Sequence, residues 1–153
     1  MDYKELLHKS KQEMNTADYM LTVTVPAIRD TNLLMSAFGH IDNAIILAIT
    51  AFLTKQKDTK KLRIFPSSEE LQRQIFFEQF SGAVGITSDE AHILNELREI
   101  VDGHKKNQIE FKRGEDYIIV THNFKTIDIK LGATIKYLSV ARNLINKLEG
   151  QLR

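Results

Sequence analysis

The chain contains no cysteine and no tryptophan, only two prolines and seven glycines, and almost no net charge, +1 from 21 basic and 20 acidic residues. The missing cysteine removes disulfides, thiolate zinc sites and cysteine nucleophiles together, and fits a reducing compartment. Few prolines and glycines leave room for long regular elements. A near-zero total charge gives no global field to attract nucleic acid or an anionic membrane. The Met1-Asp2-Tyr3-Lys4-Glu5 start has acids where a signal peptide carries a basic region, and no apolar stretch follows directly, so the expected location is the cytoplasm. The most apolar run, residues 44–53, is far short of the roughly 20 residues of a membrane span, so no membrane partner is expected.

With 153 residues, 42% of them hydrophobic, the chain suits one globular domain covering residues 1–153. Tyr3, Leu7, Ser10, Met14, Ala17 and Leu21 recur at steps of three and four, which predicts an amphipathic helix from Asp2 to about Val23. The β-branched run before Pro26 is expected to stop it. A second helix from Asp30 or Thr31 is apolar nearly all round, as the central helix of a bundle would be, and its need for cover predicts a homo-oligomer, most simply a dimer. Charged residues 55–63 read as a loop or helix end with a basic bias. Ser67 and Glu70 have capping-box spacing and predict a third helix with Leu71, Ile75, Phe76 and Phe80 buried, ended by Gly82 and Gly85. Thr87 and Glu90 form a second capping box, and Gly103 stands where a left-handed cap would end the fourth helix. Residues 109–120, β-rich on either side of Gly114, predict a hairpin, and a last helix is expected from near Asp128 to about Glu149 with Arg142 on its apolar stripe. The fold class is therefore mainly α: a four- or five-helix bundle with a short β-hairpin inserted before the last helix.

Familiar catalytic signatures are missing, namely Gly-rich phosphate loops, His-Glu-x-x-His, Gly-x-Ser-x-Gly and calcium loops. None of the five histidines pair at metal-ligand spacing, so neither metal nor cofactor is expected. Two constellations remain. Ser36, His40 and Asn43 fall on one line of the second helix together with Thr50, with Gly39 permitting a close backbone approach. They read as a satisfied polar seam, an oligomer contact or a ligand-binding set. Arg98 and His104 lie six apart, on different faces of a continuous helix, but a turn at Gly103 would fold His104 back toward Arg98. An arginine holding a phosphate beside a histidine that moves a proton would make a catalytic pair.

Residues 4–14, residues 38–53 and the Arg98-to-His104 spacing resemble the HEPN superfamily of helical bundles. Its members often sit beside nucleotidyltransferases or act as metal-independent ribonucleases. The resemblance implies a nuclease motif of arginine followed by histidine, here Arg98 and His104, with RNA as a ligand and a nucleotidyltransferase as a partner protein. This sequence departs from the pattern at Glu99, where the family often has Asn, Asp or His, and in the hairpin. Arg142-Asn143 looks like the start of the same motif, but Lys147 occupies its histidine position. Two functions follow as expectations: a non-catalytic interaction or substrate-binding module, or a HEPN-like ribonuclease using Arg98 and His104.

Overall fold

The computed structural model describes residues 1–153. It is mainly helical, with a small antiparallel sheet before the last helix. The first rod begins at the Asp2 cap and forms α1, Tyr3–Tyr19, then a wide π-helical turn, Met20–Thr24, then α2, Val25–Ile28. Pro26 therefore does not stop the helix, contrary to the sequence expectation. Its ring would clash with the Thr22 carbonyl of an α-helix, and the wider turn, closed from Val25 N–H to the Met20 carbonyl, accommodates it. Arg29, left-handed at φ 57°, ends the rod.

Asp30 then caps α3, Thr31–Asp58, by accepting from the Asn32 N–H at 2.8 Å. This 28-residue helix is apolar enough to cross a bilayer by length and composition, with mean hydropathy 1.5 over its richest stretch, yet it forms the centre of the bundle. Leu34, Phe38, Ile41, Ile45 and Ile49 are almost completely buried, and Ala37, Ala44, Ala48 and Ala51 are fully so, which lets neighbouring helices come close. α1 runs antiparallel along it: the Ser10 hydroxyl donates to the Ala44 carbonyl at 2.6 Å, and Lys55 lies over the Tyr3 ring.

Ser68, not Ser67, caps the next rod, accepting from the Leu71 N–H. That rod is α4, Glu69–Ile75, continued by a π-helical turn, Phe76–Phe80, and α5, Ser81–Val84. Phe76 is buried as expected and Ile75 and Phe80 are half-buried, but Leu71 is exposed, the rod turning Gln72 and Phe76 inward instead. Gly82 lies inside the rod and Gly85, at φ 91°, ends it. α6, Ser88–Lys105, starts with the complete Thr87–Glu90 capping box. The Thr87 N–H, together with Asn143 and Lys147, holds the Glu90 carboxyl below its ordinary pKa.

The hairpin is present as β1, Ile109–Arg113, and β2, Asp116–Val120, turned by left-handed Gly114. A third strand, β3, Thr126–Lys130, pairs antiparallel with β2 in the order β1-β2-β3, with Tyr117 opposite Ile129 and Ile119 opposite Ile127. Those four residues turn one face of the sheet onto the bundle. Asp128 thus belongs to a strand, and the last helix, α7, spans Ile135–Leu152 after a single 3-10 turn. Its buried stripe is Tyr137, Leu138, Ala141, Leu144, Ile145, Leu148 and Leu152, whereas Arg142 is exposed and pairs with Asp18 at 2.9 Å. Tyr137 packs edge-on against Phe38, ring centres 5.0 Å apart, and donates its hydroxyl to Glu96. Burial and then this contact with Glu96 push its pKa far above the ordinary tyrosine value.

Candidate binding groove and the separate arginine cleft

Ser36, His40 and Asn43 lie on one side of α3 beside α1, half-buried or exposed rather than sealed in the core. Thr50 parts from them and donates to Gln72 of α4. Gly39 meets nothing within 4 Å, so it opens space rather than admitting a close backbone, contrary to expectation. Opposite these residues come His104 and Lys105 from the last turn of α6, and together they line a groove of about 440 Å³. The sequence placed Ser36, His40 and Asn43 in one constellation and His104 in another. The fold joins them.

Each imidazole in the groove is held by a carboxylate. His40 Nδ1 is 2.5 Å from Glu13 Oε2, and Glu13 Oε1 also accepts from the Asn43 side-chain amide at 3.2 Å. His104 Nδ1 is 2.9 Å from both Glu110 oxygens. Because an ionised carboxylate only accepts, Nδ1 carries the proton in both rings, and Nε2 is left as an acceptor when the ring is neutral and a donor when it is charged. Glu110 is largely buried and also accepts from Gln108 Nε2 at 2.8 Å, while the same amide donates to the Ile100 carbonyl. The last turn of α6, Gln108 and β1 thereby form one polar support for His104.

Gly103 has a different role from the one its position suggested. α6 runs through it to Lys105, and the left-handed residue that ends the segment is Asn107, φ 58°. Glycine here leaves room for the Gln108 amide, which lies over its Cα: a Cβ there would stand 1.9 Å from Gln108 Oε1. Gly103→Ala is expected to displace that amide and destabilise the fold by about 1–2 kcal/mol, although alanine in an ordinary helix interior gains up to about 1 kcal/mol over glycine. Denaturant unfolding reads the sign; a stabilised variant would show that the amide moves away freely.

With the helix continuous through Gly103, Arg98 and His104 stay on different faces, and the turn that would have paired them does not form. Arg98 Nη1 donates to Asp42 Oδ2 at 2.9 Å and its Nη2 is 3.4 Å from Asp102. Arg73 Nη2 donates to the same Asp42 oxygen at 3.1 Å. Burial lowers the pKa of Arg73, and Arg98 adds to this while Asp42 opposes it. The two guanidiniums line a separate cleft of about 530 Å³ with Phe77 and Lys106. The knot closes α3 to α4 and α6 through one buried carboxylate.

Asp42, Arg73, Glu13 and Glu110 were not singled out from the sequence. Asp42 had a signal, a lone carboxylate among Ile41, Ala44 and Ile45, since a charge on the apolar side of a helix must find a partner. Glu13 and Glu110 had none, being charged residues among many. Arg142, Asn143 and Lys147 serve contacts to Asp18, to Glu90, and to Glu90 with the Gly85 carbonyl. No three of the His, Asp and Glu side chains gather as a metal site. Comparison with protein-family models, curated proteins and solved structures finds no match.

Proposed function

We propose that the chain is a non-catalytic interaction or substrate-binding module, working as a homo-oligomer or beside a partner protein, and that it presents the groove of Ser36, His40, Asn43 and His104 to a polar ligand. The carrying observation is the separation of Arg98 from His104. The arginine that would hold a phosphate is committed to the buried Asp42, while the histidine faces another groove and is held by Glu110. What remains in that groove is a set of adaptable hydrogen-bonding groups of the kind that fix the orientation of a bound polar molecule. A partner protein such as a nucleotidyltransferase is the kind that the HEPN resemblance implies.

A ribonuclease is the second reading, and one observation favours it. His40 and His104, each with Nδ1 on a carboxylate, share one groove with Lys105, and two such imidazoles can serve as general base and general acid. Incubation of mixed single-stranded RNA with the purified chain in chelator separates the two. The binding module leaves the RNA intact. Cleavage that falls about 10²–10⁴-fold in both His40→Ala and His104→Ala would replace it by the nuclease.

A further inference from the structure

The segment in which α3 ends and the following loop begins carries a charge pattern unlike that of the chain as a whole. Lys55, Lys57, Lys60, Lys61 and Arg63 stand against Asp58 alone in this stretch. None of the five lies within ion-pair distance of a carboxylate, although ion pairs occur over most of the remaining surface. Lys55 rests over Tyr3, and Lys57 donates to the Arg63 carbonyl, which leaves the charges themselves uncompensated. Glu69 and Glu70, the next carboxylates along the chain, belong to the first turn of α4, where they complement its N-terminus.

The segment is an ordered loop rather than a frayed tail. Lys61 N–H bonds the Gln56 carbonyl at 2.8 Å and Lys60 N–H bonds the Lys57 carbonyl at 3.0 Å, the two reverse bonds of a Schellman helix end. Leu62 and Pro66 are buried and Phe65 packs on the core, so Arg63 and Ile64 are held outward. Ile64 is 80% exposed at the tip, next to the cations. The left-handed residue of the helix end, usually glycine, is Lys60 at φ 63°, a conformation that disfavours a side chain.

We propose that this tip, Lys57 to Ile64, docks on an anionic lipid surface, with the lysines and Arg63 at the headgroups and Ile64 entering the interface. An aliphatic residue gains by leaving water at a membrane surface, whereas it offers no ring on which a nucleic-acid base could stack. Lysines are mobile point charges suited to a fluid layer of anionic headgroups. The near-zero total charge argued against any membrane partner; the local arrangement argues for one that is peripheral.

Co-sedimentation of the full chain with phosphatidylserine-rich vesicles and with pure phosphatidylcholine vesicles tests this. Binding is expected to the anionic vesicles only and to fall with added salt. Each lysine removed should lower the partition about fivefold, so Lys60→Ser with Lys61→Ser should lower it about 25-fold. Ile64→Ser should weaken binding several-fold without altering the salt dependence. Lys60→Gly should weaken binding while holding or raising the melting temperature, which separates the surface role from a structural one. Three results would overturn the proposal: no preference for anionic vesicles, vesicle binding unchanged in the loop variants, or binding to single-stranded RNA alone that the lysine variants lose and Ile64→Ser keeps.

Discussion

Replacing Asp42 with alanine is expected to destabilise the fold by about 3–5 kcal/mol, the range found when one partner of a buried ion pair is removed and the other is left without compensation. The size follows from the geometry. One oxygen of a carboxylate whose side chain is 8% exposed takes donors from two guanidiniums, so its loss leaves Arg73, itself only 12% exposed, without its ion-pair partner beside a second positive charge. The order of effects is equally informative. Arg73→Ala should cost less than Asp42→Ala, because Arg98 still meets the carboxylate, and Arg98→Ala least, because Arg98 is 30% exposed and leaves the Asp42–Arg73 pair intact. Urea unfolding of the three variants measures this directly. An Asp42 variant within the scatter of ordinary surface substitutions, about 0.5 kcal/mol, would show that the knot contributes nothing to stability.

A comparable loss, about 3–5 kcal/mol, is expected for Phe38→Ala. Phe38 is fully buried in the N-terminal third of α3 and its ring meets that of Tyr137, so truncation removes apolar contact and an edge-on aromatic pair while opening a cavity between α3 and α7. Neighbouring His40 faces the groove rather than this core. The expected signature is therefore a lowered unfolding midpoint with the His40–Glu13 contact retained in the folded protein, read from the imidazole resonance. Domains of this kind commonly have only about 5–15 kcal/mol in total, so either substitution consumes a large share of the stability.

The helices were legible wherever a periodic apolar stripe coincided with a cap chemistry that has one solution. Thr87 with Glu90 and Asp30 before Thr31 are such places, and the hairpin around Gly114 is another. Legibility failed where two local rules competed. Pro26 stops an α-helix but not a π-helical turn, and Ser67 and Ser68 are both N-cap residue types, of which Ser68 accepts from the Leu71 N–H. β3 was hidden because Thr126–Lys130 is a short alternating run that acquires its partner only once β2 is in place. At the groove, the residue types were visible but not their grouping. Ser36, His40 and Asn43 share a helical face by spacing alone, whereas His104 reaches them through the packing of α6 on α3, at a separation no local pattern encodes. The Arg98–His104 pairing failed for a physical reason of the same kind: glycine permits a turn but does not impose one, and at Gly103 it makes room for Gln108.

Arg98 and His104 therefore do separate work, one in the Asp42 knot and the other in the groove, and the histidine region of the ¹H–¹³C spectrum tests this most directly. Replacing Arg98 with alanine is expected to lower stability while leaving the His104 resonance where it is in the wild type, and Glu110→Gln, which alters the partner of Nδ1, is expected to move it. His40, held by Glu13 across α3 and α1, serves as the internal check that the variants are folded. A His104 resonance displaced as far by Arg98→Ala as by Glu110→Gln would contradict the separation and return the two residues to a single site.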